Sequence, residues 1–124
     1  MHELKSYLPK VKEILSDIIE KYNFDVYVAS DREIVFRNSN CIMKMTVGWY
    51  YVDFGLEFFD PKNPNHEGIS AVDIFEKKGL LGKKNKTDEQ IKNIEECKDE
   101  VLRHLLGISY SAKYYTEYLE GNFD

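Results

Sequence analysis

The spacing of hydrophobic residues changes twice along this chain. From Val11 to Tyr22 they recur every three or four positions, the period of an amphipathic helix. From about residue 24 to residue 59 they alternate with polar residues, the period of a β-strand with one dry face. The helical period returns after Ser70. This order predicts an α+β fold in which helices bury their apolar stripes against one sheet.

The β-region divides into four runs separated by short turn signals, which favours an antiparallel sheet. We therefore predict a four-stranded antiparallel sheet over residues 24–59. Gly55 interrupts the fourth run and indicates a bulge or a close approach of another group to the backbone. The inward positions of the last two runs are predicted to be Cys41, Met43, Met45, Val47, Val52, Phe54, Leu56 and Phe58.

Capping signals give the helix boundaries. Predicted starts lie at Pro9, Ser70 and Thr87, and predicted ends lie at Asn23, Gly79 and Gly107. Residues 88–106 thus form one long helix, and the tail from Ile108 forms a terminal helix that starts near Ser109 or Ser111. The predicted order is helix, four strands, short helix, long helix and terminal helix, within a single domain of residues 1–124.

The charge balance narrows the class of partner. The chain of 124 residues carries a net charge of −5, whereas nucleic acids and anionic membranes attract cationic surfaces. We therefore expect no nucleic acid and no membrane as ligand. Neither an apolar leader nor a run long enough to cross a bilayer is present in the sequence, and we expect a cytoplasmic protein.

Residues suited to catalysis or metal binding are few and scattered. The two cysteines and three histidines do not share ligand spacing, so we predict no metal site, no cofactor and no catalytic residue. The chain is interpreted as a non-enzymatic binding protein. One alternative is an enzyme with a site around His66, beside Glu67 in a loop. Five lysines between residues 77 and 86 are interpreted as a solvated basic loop.

Two acidic and aromatic surfaces are candidates for binding a protein. The first is the outward face of the sheet, where Gly55 leaves a notch between Asp53 and Glu57; alternatively, the terminal helix covers this face and its aromatic residues belong to the core. The second is the acidic long helix with its tyrosine-rich tail. Tyrosine is enriched where binding energy concentrates. The predicted partner-binding residues are Trp49, Tyr51, Asp53, Glu57, Tyr114 and Tyr118.

The amphipathic first helix, the compact meander over residues 34–59 and the acidic helical C-terminal third resemble the small immunity proteins of bacterial polymorphic toxin systems. That resemblance implies a small, cytosolic, non-enzymatic protein that neutralises a toxin domain by occluding it, with a basic toxin domain as the partner. Secretion chaperones are the alternative, since they are also similar in being small acidic α+β proteins, and they act as dimers on effector segments. The sequence leaves the oligomeric state open.

Overall fold

The computed structural model describes residues 3–48 and 54–123. Its five antiparallel strands form one sheet in the order β1-β2-β3-β4-β5. The strands are β1 Asp25–Ser30, β2 Glu33–Arg37, β3 Ile42–Thr46, β4 Gly55–Phe59 and β5 Ile69–Ser70. The helices are α1 Leu8–Ile14, α2 Ser16–Tyr22, α3 Ala71–Lys77, α4 Asp88–Glu96, α5 Glu100–Ser111 and α6 Thr116–Leu119. The predicted α+β fold is confirmed, with a fifth strand added.

The core lies on the inner face of the sheet. Every described inward position of β3 and β4 is buried, so the period-two prediction is confirmed there. Met43 pairs with Phe58 and Met45 with Leu56 across the two strands. Phe54 is half-buried against this core rather than inside it, which corrects its predicted place. Val52 lies outside the described residues.

The N-terminal helical segment is broken once. Leu15 leaves helical geometry at φ −100° and ψ 17°, and it separates α1 from α2. Its side chain is nevertheless buried, so both helices keep their apolar stripe on the core. Asn23 ends α2 in the left-handed conformation at φ 54°, as predicted, because Asn tolerates positive φ.

The predicted helix from Asp88 to Leu106 is wrong in one respect, because two helices occupy that range. Cys97 turns the backbone to an extended conformation after α4. Asp99 then begins α5, and its Oδ1 accepts hydrogen bonds from the backbone N–H groups of Val101 and Leu102 at 2.9 and 3.1 Å. Gly107, predicted to close the long helix, lies inside α5 instead.

The other two predicted helix starts are confirmed with complete capping boxes. The Ser70 hydroxyl accepts a hydrogen bond from the backbone N–H of Asp73, and the Thr87 hydroxyl accepts one from the backbone N–H of Gln90. In return, the side chains of Asp73 and Gln90 accept from the backbone N–H groups of Ser70 and Thr87. Ser70 is also the last residue of β5, so α3 begins directly at the sheet edge.

The tail packs on the inner face of the sheet. After α5, one 3-10 turn over Ala112–Tyr114 leads into α6. Tyr115 and Tyr118 place their rings 5.1 and 6.2 Å from the ring of Phe58. The tail therefore contributes to the core and leaves the outward side of the sheet to other residues. None of the helices formed by residues 3–48 and 54–123 has the length and apolarity needed to cross a membrane.

Candidate functional site: the outer sheet face

The side of the sheet that faces away from the helices is called here the outer sheet face. Cross-strand pairing brings its residues into three rows. The rows are Asp25–Arg37–Ile42–Phe59, Tyr27–Val35–Lys44–Glu57–Ser70 and Glu33–Thr46–Gly55. Val35 is buried at the middle of the face, whereas the other side chains of these rows are not counted among the buried core residues. Those other side chains are available for contacts that the fold itself does not need.

Charges of both signs alternate across this face, which corrects its predicted acidic character. Asp25 lies directly opposite Arg37, and Lys44 lies directly opposite Glu57. Among the charged residues of this face, the prediction from sequence named only acidic ones, although the same period of two places Arg37 and Lys44 outward. Opposite charges on facing strands stabilise a sheet modestly. They also make a surface that can complement a partner of mixed charge.

Aromatic residues lie on the first and fourth strands of the face. Tyr27 on β1 is 45% exposed. Phe59 on β4 is half-buried, with the Lys44 ammonium 4.8 Å from its ring centroid. A ring with a cation above it presents both apolar area and charge to the same partner. Val35, between Tyr27 and Lys44, is only 3% exposed, so the middle of this face is dry.

Glycines shape the β4 side of the face. A Cβ at Gly55 would lie 2.6 Å from Thr46 Oγ1, which explains the glycine as a close approach of the neighbouring strand. No register shift occurs there, since Thr46 and Gly55 pair in the regular ladder. A Cβ at Gly68 would lie 2.5 Å from the Phe59 ring, so this glycine leaves the space that the ring fills.

The predicted partner-binding residues separate into three groups. Glu57 is exposed on the outer sheet face and makes no ion pair with any residue of 3–48 or 54–123. Trp49, Tyr51 and Asp53 lie outside the described residues. Tyr114 and Tyr118 are described and lie away from this face.

The two tail tyrosines have structural roles. Tyr118 is 4% exposed and packs against Phe58 and Phe123, so it has no surface for a partner, contrary to its predicted role. Tyr114 is half-buried, stacks edge-on against Phe75, and donates its hydroxyl to the Asn85 carbonyl at 3.3 Å. The period of the tail did not reveal this, because it shows spacing and not which face meets the sheet.

A groove of about 760 Å³ adjoins the β4 end of the sheet, between β4, α3 and α5. Sequence reasoning missed it because its walls come from segments far apart in the chain. Its lining is mainly apolar, with charged or titratable groups at Glu57, Lys86, Glu100, Arg103 and His104. The His104 imidazole stacks on Phe54 with ring centroids 4.7 Å apart and an angle of 9°. His104 lies in the middle of α5 rather than near a helix C-terminus, so its predicted electrostatic reason does not apply.

Burial is the first cause of the pKa shifts in this groove. Burial lowers the pKa of His104, with Glu100 opposing this effect, so the imidazole is neutral at pH 7. Burial raises the pKa of Tyr115 to about 12 while a hydrogen bond with Ser111 opposes the shift. Burial and then the Lys113 charge lower the pKa of Lys86. The groove offers a ligand stacking and apolar contact together with charged groups.

The remaining candidates for chemistry stay apart. The His66 ring has its Nδ1 2.8 Å from the neighbouring Glu67 carbonyl oxygen, and the His66 backbone N–H donates to the Asn63 carbonyl at 3.0 Å. Burial, followed by the Asp60 charge, raises the pKa of Cys41 to about 12, which keeps the thiol protonated. Within residues 3–48 and 54–123, His, Cys, Asp and Glu form no group of three that could hold a metal ion.

Comparison with protein-family models, curated proteins and solved structures found no match to this chain.

Proposed function

We propose that this chain is a non-enzymatic protein-binding domain, and that it acts as an immunity protein which occludes a bacterial toxin domain. The observation that carries the proposal is the outer sheet face, which lies outside the core and still carries rings and charges. A face that only needed solvation would not require Tyr27 on β1 and Phe59 on β4. Aromatic rings beside charged groups supply desolvated contact area and orientation together.

The charge of the whole chain supports a partner with a cationic cleft. A net charge of −5 attracts such a partner over a distance of about one Debye length and raises the association rate. At contact range, Glu57 is an exposed carboxylate of the face that makes no ion pair within the described residues, so it can meet a cation. Lys44 and Arg37 then select partners that also present acids, so the face favours a defined docking orientation.

The proposal is tested with the product of the gene directly upstream of this one, where a toxin is expected. We expect that product to be toxic when expressed alone and to be neutralised by this chain in a one-to-one complex. Glu57→Lys should weaken the complex at least about tenfold, because it places a cation against the cationic cleft. Glu95→Lys is the matched control, since Glu95 is also exposed but lies on α4.

Thermal midpoints of both variants show whether a loss of binding reflects a loss of fold. Glu57→Lys sets like charges opposite each other with Lys44, which should cost less than about 1 kcal/mol. If Glu57→Lys and Glu95→Lys bind the partner with equal affinity, the interface does not lie on the outer sheet face. Capture of an extended effector segment by an obligate dimer would replace the immunity function with that of a secretion chaperone.

A further inference from the structure

The edge of the sheet at β1 is open. Within residues 3–48 and 54–123, β1 pairs only with β2, and one side of its backbone ladder has no strand beside it. Proteins usually protect such an edge with lysine, proline, an inward charge, a bulge or a covering helix. Strand β1 contains no lysine or proline, Asp25 is its one charged residue, and its register shifts only at the end, between Val28 and Ser30. Tyr27, at the middle of the edge, is an exposed large hydrophobic residue.

A groove of about 460 Å³ runs beside this edge, between β1 and the first two helices. The helices contribute Lys12, Ser16, Ile19 and Glu20 to it, and the strand contributes Val26 and Tyr27. A strand added to the edge would cover this groove, placing one set of its side chains above the helices and the other on the outer sheet face. The occupant can be inferred from the pattern of residues along the edge.

We propose that the occupant is a second copy of this chain, paired antiparallel through β1 about a two-fold axis at Tyr27. In that register, Tyr27 faces Tyr27 of the second copy, and Val26 faces Val28. Asp25 faces Ala29, so no residue of β1 meets a like charge. An interface with two-fold symmetry must be self-complementary in this way. Aromatic and β-branched cross-strand pairs are also among those that stabilise a sheet.

The two helices that line this groove carry opposite charges, Lys12 on α1 and Glu20 on α2, on either side of the break at Leu15. Lys12 and Glu20 lie four residues to either side of Ser16, both exposed. Ser16 is about 9 Å along the helix from Tyr22, while Tyr27 is about 10 Å along the strand from Phe24. The Phe24 N–H binds the Ile19 carbonyl at 3.0 Å and fixes the turn between the two segments.

Ser16 and Tyr27 line the same groove, together with Lys12 and Glu20. An axis at Tyr27 would turn Lys12 of one copy towards Glu20 of the other.

The regular part of β1 is short, because the register shifts between Val28 and Ser30. The core is already closed within one copy, with Leu4, Phe36 and Phe58 at 0% exposure. We therefore expect a reversible dimer, with a dissociation constant in the micromolar range that is typical of small interfaces between independently folded subunits. The dimer and the proposed toxin complex share Tyr27, which lies in the same cross-strand row as Glu57. The dimer is tested with this chain alone and the toxin complex with Glu57→Lys, so the two proposals can fail separately.

Sedimentation equilibrium over about 1–300 μM protein tests the dimer, a range chosen around the expected micromolar affinity. The mass should rise from monomer to dimer. Tyr27→Lys should raise the dissociation constant at least about tenfold, because it sets two ammonium groups against each other at the axis. Tyr27→Phe should leave it nearly unchanged. Val72→Lys is the matched control, an exposed apolar residue on α3 that also becomes lysine.

A charge exchange tests the register itself. Lys12→Glu and Glu20→Lys should each weaken the dimer several-fold, and the two together should restore it, because the pair is exchanged across the axis. Because Lys12 and Glu20 are both exposed, their variants should fold, and they test the dimer even if Tyr27→Lys does not fold. A monomer at every concentration would overturn the proposal. So would a dimer indifferent to Tyr27→Lys in its folded form, or a double exchange that fails to restore association.

Discussion

Phe58 and Phe54 show how much a difference in burial matters between two rings of the same kind. Phe58 is fully buried in β4 and contacts the rings of Tyr115 and Tyr118. Phe54, just before β4, is half-buried and presents one face to His104. Removing the first leaves a cavity inside the core, whereas removing the second leaves a space that water can fill.

We therefore expect Phe58→Ala to lower the free energy of unfolding by about 3–5 kcal/mol. Phe54→Ala should cost less, about 1–2 kcal/mol, because the half-buried ring removes less apolar area from water when the protein folds. Denaturant titration of both variants measures the two losses side by side. Equal losses would show that Phe54 is a core residue and that its stack on His104 is not a surface contact.

At the scale of elements, the junction between α4 and α5 is held from a distance. The Tyr7 hydroxyl, in the 3-10 turn Lys5–Tyr7 before α1, donates to Asp99 Oδ2 at 2.7 Å. The other carboxylate oxygen of Asp99 caps α5. One side chain thus starts a helix and ties it to a segment that lies 92 positions away in the chain.

Asp99→Ala should destabilise the fold by about 1–2 kcal/mol, because the helix loses its cap and the Tyr7 hydroxyl loses its acceptor. Tyr7→Phe removes only the second bond and should cost less, about 0.5–1.5 kcal/mol. In chemical denaturation, the double variant should fall short of the sum of the two losses, since both remove the same bond. Strict additivity would mean that the Tyr7–Asp99 bond contributes nothing.

The elements that the sequence predicts well are those whose ends are set locally. Ser70, Thr87 and Asn23 each act on backbone groups within a few residues, so their signals are readable in the chain. The break at Cys97 is hidden because the apolar spacing continues through it. Strand β5 has two residues, too few for any period, and exists because Glu57 and Phe58 offer it an edge.

The candidate site was predictable to a similar degree. A period of two places Glu57, Lys44 and Arg37 outward from the sequence alone. The burial of Tyr118 and the groove beside His104 arise from packing between distant segments, which no local pattern contains. The self-complementary edge at β1 likewise needs the strand and the first two helices to be placed side by side.

At the scale of the whole molecule, three groups make stability depend on pH in the same direction. Burial lowers the pKa of His104. The Lys78 hydrogen bond lowers the pKa of Glu117, against the effect of burial. Burial opposes the shift at Asp99, but hydrogen bonds from Tyr7 and the start of α5 lower its pKa. All three bind protons more weakly when folded than when unfolded.

The unfolded chain therefore takes up more protons than the folded chain as the pH falls, and acid favours unfolding. The first loss belongs to His104 and begins below about pH 6.5, the ordinary pKa of histidine. The stability that the neutral imidazole contributes is fully present above that pH, and it is lost as the pH falls through the pKa of His104 in the folded protein. The losses at Asp99 and Glu117 begin only below about pH 4.5.

Denaturant titrations at several pH values between about 7 and 5 isolate the histidine step, because the ordinary pKa values of the carboxylates lie lower. We expect the unfolding free energy to fall there by less than about 1 kcal/mol, since His104 remains solvent-accessible and its shift is screened. His104→Gln should flatten this part of the curve and leave the decline below about pH 4.5 intact. His66→Gln is the matched control, because His66 is exposed in a loop and its ring lies beside a neighbouring backbone carbonyl rather than on an aromatic ring. A curve that His104→Gln leaves unchanged, or that His66→Gln flattens as much, would show that the stacked imidazole does not set the pH dependence.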